Sequence, residues 1–112
     1  MKKSDITKQK ILEAAEAAFA EKGFYGARVD EITETAGVNK RMIYAYYGSK
    51  EKLYIAVLDT VYKRLAEREK DLLDKETDCV SAVRNIIHHA FLFLYENPTF
   101  VKMVMWENLN EA

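Results

Sequence analysis

The chain has 112 residues, of which 49% are apolar and 31% charged, with only four glycines and one proline. This length suits one small domain or one domain and part of a second, and this composition favours a globular, helix-rich fold over disorder or a β-rich fold. The net charge of −1 does not indicate a basic protein. A single cysteine excludes an internal disulfide, and the apolar stretches are too short for a transmembrane helix.

The charges are distributed unevenly along the chain. Residues 1–53 carry ten Lys or Arg and eight Asp or Glu, whereas residues 54–112 carry seven and ten. Within residues 39–52 four basic side chains stand against one acidic side chain. Such a local cationic patch suits a protein that contacts phosphates with one end only. The N-terminus lacks the apolar core of a signal peptide, which together with the lone cysteine predicts a cytoplasmic location.

Three helices are predicted in the first half of the chain. Apolar residues recur at three- and four-residue steps from Thr7, and Gly23 is expected to end this first helix. A second helix of two turns is expected to end at Gly37. Asn39 is a favourable N-cap for a third short helix, which Gly48 would end. The apolar positions of these helices are Ile11, Leu12, Ala15, Ala18 and Phe19, then Val29, Ile32 and Ala36, then Ile43, Tyr46 and Tyr47.

Three further helices are predicted in the second half. Ser49 is expected to cap a long fourth helix that reaches about Lys70, and the charged residues 67–78 are expected to form a surface connection. The fifth helix has apolar residues on more than one side, which predicts an interior helix. Asn97 and Pro98 would separate it from a sixth helix, with Pro98 in the first turn. The apolar residues of the fifth helix are Val80, Val83, Ile86, Ile87, Ala90, Phe91, Leu92, Phe93 and Leu94.

The second and third helices match the helix-turn-helix pattern. They are short, follow a longer helix and are joined by Ala36-Gly37-Val38, where glycine permits a tight turn and an apolar residue fills the gap. In such a motif the second helix of the pair enters the major groove of DNA. The sequence therefore predicts that residues 39–47 form a recognition helix.

The side chains of this helix divide between two faces. Lys40, Arg41 and Tyr44 share one face, whereas Ile43 and Tyr47 point towards the core. The long guanidinium of Arg41 is suited to the O6 and N7 atoms of guanine. We therefore predict that Lys40 and Arg41 read base edges.

Residues 23–53 contain a dense pattern of glycine, aromatic and small apolar residues: Gly23, Phe24, Val29, Ile32, Ala36-Gly37-Val38, Tyr44, Tyr46, Tyr47, Ser49-Lys50-Glu51 and Leu53. With this pattern the chain resembles the N-terminal part of TetR family transcriptional repressors. The resemblance implies an all-α fold in which a three-helix DNA-binding domain (1–48) is joined by a long connecting helix (49–70) to the beginning of a helical effector-binding and dimerisation domain (71–112). Family members continue further, so we expect this chain to be truncated.

The resemblance also implies contacts to the DNA backbone. Tyr44 and Tyr46 would offer hydroxyls to phosphates. The family usually has Thr or Ser where Arg28 stands, so Arg28 would replace a neutral phosphate contact with a charge-assisted one. Further phosphate contacts are expected from Asn39 and from Lys50, which lies in the first turn of the fourth helix beside free backbone N–H groups.

A small-molecule effector and a homodimer follow from the same resemblance. The dimer would place two recognition helices in successive major grooves of a palindromic operator, and the effector would release the DNA by shifting the fourth helix. Candidate residues for the effector pocket are His88, Phe91, Tyr95 and Trp106, although such residues at helical spacing are more often core. His88 and His89 are adjacent, so no metal site is expected, and neither is a cofactor.

The sequence also bears on two other classes of protein. No set of nucleophile, base and acid is visible, so an enzyme is not expected. A helical protein-interaction module without DNA binding stays open, because Tyr44, Tyr46 and Lys40 could equally contact a partner protein. Tyr47 is predicted to pack in the core, and packing is also expected for Tyr25.

Overall fold

The computed structural model describes residues 2–75 and 78–111 and shows six helices, without a strand in these ranges. The predicted all-α fold class is therefore confirmed. The helices are α1 Lys3–Gly26, α2 Val29–Ala36, α3 Lys40–Tyr47, α4 Lys50–Lys75, α5 Cys79–Glu96 and α6 Pro98–Glu111.

Helix α1 lies at the centre of the molecule and packs against α2, α4 and α6. Its apolar stripe is buried, with Ile11, Ala15 and Phe19 at 0% exposure. The Phe19 ring contacts those of Phe24 and Tyr54, with centroids 6.2 and 5.0 Å apart. Since Tyr54 belongs to α4, one continuous core joins the helix-turn-helix to the long helix.

Gly23 breaks α1 close to its end. Its φ of 73° and ψ of 176° are non-helical, although helical hydrogen bonding continues to Gly26. The predicted stop at Gly23 thus coincides with a change in chain direction. Beside it, the Trp106 indole N–H donates to the Ala20 carbonyl at 3.1 Å, which joins α6 to α1. The prediction that Tyr25 packs in the protein is wrong, because its side chain contacts the Phe24 ring but remains 81% exposed.

Helix α4 is longer than predicted. It continues five residues beyond Lys70 and ends at Lys75. The first part of the charged segment 67–78, predicted as a surface connection, is therefore helical. The reason is that Glu, Arg, Lys and Leu are good helix formers and that neither Gly nor Pro interrupts them. Residues 76 and 77 of the predicted connection lie outside the described residues.

Helix α5 is not an interior helix in this chain. Of its apolar residues only Phe93 is fully buried, at the side that faces α4 and α6. The prediction was wrong because the described residues include no element that covers the opposite side. That side, the α5 apolar face, consists of Val80, Val83, Ile87, Phe91 and Leu94, all exposed. Despite these apolar residues, none of the described helices is long and apolar enough to cross a membrane.

Candidate nucleic-acid interface

Two buried isoleucines and one glycine fix the angle between α2 and α3. Ile32 and Ile43 are both at 0% exposure in the shared core. Gly37 has a left-handed conformation (φ 71°, ψ 34°), which glycine adopts without steric cost. Its N–H donates to the Thr33 carbonyl at 2.9 Å, and the N–H of Val38 donates to the same oxygen at 3.1 Å. The turn therefore provides hydrogen-bond donors for a carbonyl at the end of α2 and holds α3 in one orientation.

Asn39 caps α3, as predicted. Its side-chain oxygen Oδ1 accepts a hydrogen bond from the Met42 N–H at 2.9 Å. This bond satisfies one of the free N–H groups in the first turn. The cap matters because α3 has only eight residues, and so short a helix depends on its ends and its packing.

Replacing Asn39 with alanine should lower the free energy of unfolding by about 1 kcal/mol, because the N–H of the first turn loses its acceptor. Urea denaturation followed by circular dichroism measures this loss. Asn39→Ser is the matched control, since serine also caps. Equal stability of the Ala and Ser variants would show that the cap contributes nothing.

The two faces of α3 have different environments. Lys40, Arg41 and Tyr44, which we call the α3 face, are exposed. On the opposite side Ile43 is buried, and the half-buried Tyr47 donates its hydroxyl to the Lys8 carbonyl at 3.1 Å. Burial also raises the pKa of Tyr47. The predicted core position of Tyr47 is therefore confirmed, and the α3 face is free to meet another molecule.

The two cations of the α3 face differ in their surroundings. The ammonium of Lys40 lies 2.8 Å from the carboxylate of Asp30 in α2. This hydrogen-bonded ion pair raises the pKa of Lys40. Arg41 has neither a hydrogen bond nor an ion pair within the described part of the chain. Its guanidinium is thus available for planar, bidentate contacts.

The residues predicted to contact phosphates lie mainly at helix N-termini. Arg28 is exposed at the N-cap of α2 and makes no capping bond with its side chain. Lys50 is the first residue of α4, where its ammonium lies 4.6 Å from the centroid of the Phe24 ring. The preceding Ser49 accepts from the Lys52 N–H at 3.1 Å, as expected of a cap. Helix N-termini favour anions, so these positions suit phosphate binding.

The tyrosines of α3 are partly accessible. Tyr44 is 42% exposed, whereas Tyr46 is half-buried and has the ammonium of Lys8 at 5.5 Å from its ring centroid. Lys8 was not singled out in the sequence, because its proximity to Tyr46 arises only when α1 packs on α3. Asp30 was overlooked for the same reason. No local signal marks either residue, since each is one charge among many on a solvated helix.

The structure does not bring the four candidate effector-pocket residues together. Phe91 and Tyr95 project from α5 with 71% and 87% of their surface exposed, and His88 is also exposed. Trp106 instead packs against α1. The neighbouring His89 lines a narrow gap of about 10 Å³ between α4 and α5, which is too small for an organic ligand. An effector pocket stays a prediction.

Known proteins share this arrangement. Residues 11–57 match the model of a family described as bacterial regulatory proteins, tetR family. The chain is 37% identical over 109 residues to the HTH-type transcriptional repressor NicS of Pseudomonas putida, covering 97% of this chain and 51% of NicS. It is 32% identical over 100 residues to the HTH-type transcriptional activator FasR of Mycolicibacterium smegmatis, covering 89% and 46%.

The fold is similar to a solved structure as well. A TetR-like transcriptional regulator from Rhodococcus sp. RHA1 superimposes with a TM-score of 0.79 at 26% identity, over 86% of this chain and 52% of that one. The chain thus spans about half the length of the relatives it matches. These relatives are described as regulators of transcription and not as enzymes.

Proposed function

Because the chain belongs, through residues 11–57, to the tetR family of bacterial regulatory proteins, we propose that it is a sequence-specific, double-stranded DNA-binding regulator of transcription that acts as a repressor. The observation that carries this proposal is the exposed α3 face on a capped, firmly packed helix. An eight-residue helix presented in this way fits the major groove of B-DNA.

Four cations near α3 have a role in this proposal. Arg41, free of internal partners, reads a base edge, and Lys40 reads a second one beside it. Arg28 and Lys50 hold phosphates at the N-termini of α2 and α4, and these contacts position the domain without reading sequence. Asn39, Tyr44 and Tyr46 add neutral phosphate contacts.

The domain organisation and the assembly are part of the proposal. Residues 1–48 bind DNA, α4 (Lys50–Lys75) connects the two domains, and α5 and α6 belong to the effector-binding and dimerisation domain. The exposed α5 apolar face supports this division, because a surface of this kind needs further helices or a second copy to cover it. A homodimer would present its two α3 helices about 34–36 Å apart, in successive major grooves of a palindromic operator.

Regulation by a small molecule would act through α4. This helix carries Lys50 at one end and packs against α5 further along, so a shift of α4 moves the phosphate contact. An effector releases the DNA only in so far as it prefers the non-binding conformation. Because the proposed partner is DNA, we propose that the protein acts in the cytoplasm.

Selection of duplexes from a random DNA pool, followed by mobility-shift titration at rising salt, tests the DNA-binding function. We expect one enriched motif and an affinity whose logarithm falls linearly with the logarithm of salt concentration, with a slope of about −0.9 per phosphate contact. Absence of DNA binding even at low salt would favour the alternative of a protein-interaction module. Reporter transcription from the enriched motif then distinguishes a repressor from an activator.

A further inference from the structure

Asp30 places a negative charge directly on the candidate DNA surface. It lies in the first turn of α2, and its Oδ1 atom is 2.8 Å from the Nζ atom of Lys40. Its side chain is 76% exposed, so the folded chain does not require it as buried support. The α3 face therefore carries two cations and, beside one of them, an exposed carboxylate.

The carboxylate of Asp30 weakens the electrostatic attraction between this surface and DNA of any sequence. Binding to any duplex gains free energy when cations displace the counterions condensed on phosphates, whatever the sequence. A carboxylate within hydrogen-bonding distance of an ammonium lowers that gain for the paired cation, because its negative charge repels the phosphate. Surface ion pairs add little to stability, so the main effect of the pair of Asp30 and Lys40 is on the charge that this surface presents to another molecule.

The ion pair also restrains where Lys40 can reach. A free lysine has a flexible four-carbon stem that swings readily to a nearby phosphate. While it is paired with Asp30, the Lys40 ammonium is directed towards α2 at the N-terminus of α3. If Lys40 reads a base edge of the preferred sequence, other sequences would offer it no equivalent contact.

We propose that Asp30 is a specificity-determining residue, which restrains Lys40 and thereby weakens binding to non-preferred DNA more than binding to the preferred site. This inference rests on the proposed DNA-binding function. An acidic residue of α2 would then favour the preferred site over other DNA, which the basic residues of α3 cannot do by themselves.

The experiment compares wild type, Asp30→Asn and Glu31→Gln by fluorescence anisotropy over a range of salt concentrations. The probes are a duplex with the motif enriched from the random pool and a scrambled duplex of equal length. Glu31 is the matched control, because it lies in the same turn of α2 but pairs with Lys22 of α1 at 2.6 Å. Circular dichroism establishes that each variant is folded, and Asp30→Ser serves as a second variant.

For Asp30→Asn we expect the salt slope on scrambled DNA to steepen by about 0.9, which corresponds to roughly eightfold tighter binding at 0.1 M salt. Affinity for the preferred duplex should rise less, so the ratio of the two affinities falls. Adding Lys40→Met should remove the steepening, because the released ammonium is then absent. Glu31→Gln should leave the slope at the wild-type value.

Three results would overturn the inference while leaving DNA binding intact: an unchanged slope in Asp30→Asn, the same steepening in Glu31→Gln, or steepening that persists with Lys40→Met. Failure of the wild-type chain to bind either duplex would instead refute the proposed function, and this inference with it.

Discussion

Replacing Arg41 with alanine should weaken binding to the preferred duplex by roughly 5- to 150-fold, equivalent to about 1–3 kcal/mol, the usual value of one bidentate base contact. The effect is expected to be large because Arg41 is exposed and has no internal partner among the described residues that competes for its guanidinium. Selection from a random DNA pool with the Arg41→Ala variant should yield a motif in which one base position has lost its preference.

Lys50→Ala is the contrasting variant. Lys50 lies at the N-terminus of α4, where it is proposed to hold a phosphate. Its loss should weaken binding to all sequences alike and reduce the salt slope by about one unit, without changing the selected motif. An unaltered motif for Arg41→Ala would refute the assignment of Arg41 to base reading.

Replacing Gly23 with alanine should lower the free energy of unfolding by about 2–6 kcal/mol. Backbone strain and a steric clash should contribute similar amounts to this loss. With φ 73° and ψ 176°, Gly23 has a backbone conformation that is essentially restricted to glycine. A Cβ atom at this position would also lie 2.9 Å from the Cδ2 atom of the Trp106 indole, which would have to move. Chemical denaturation of the purified variant measures the loss.

Gly37→Ala is a control for a positive φ without a steric clash. Gly37 also has a positive φ, 71°, but a Cβ there would meet no atom within 4 Å. Its substitution should therefore cost only the backbone part, about 1–2 kcal/mol. In a Trp106→Ala background the cost of Gly23→Ala should fall, because the indole is gone. A cost for Gly23→Ala no greater than that for Gly37→Ala would contradict the described packing of α6 on α1.

Local signals in the sequence were sufficient to identify the helices, although not the end of α4. Apolar periodicity predicted all six, and the capping residues Asn39 and Ser49 were predicted from side-chain chemistry alone. The exposure of Lys40 and Arg41 followed from the helical spacing opposite Ile43. Such features depend on residues a few positions apart in the chain, so they can be predicted from a single sequence.

Features that depend on distant segments were not predictable in the same way. The contact of Lys8 with Tyr46 and the pairing of Asp30 with Lys40 arise only when separate helices pack together. The α5 apolar face was predicted to be buried, because the sequence shows which residues are apolar but not which element covers them. The phosphate and base contacts themselves require a DNA complex.

Amide chemical-shift mapping by NMR identifies the residues of the chain that contact DNA. An isotope-labelled chain is titrated with a duplex that carries the motif enriched from the random pool, and shift changes are recorded for each assigned residue. We expect the largest changes in residues 39–46, in residues 49–52 and at Arg28. Changes confined to α5 and α6, with α3 unaffected, would contradict the claim that the exposed side of α3 is the surface that binds DNA.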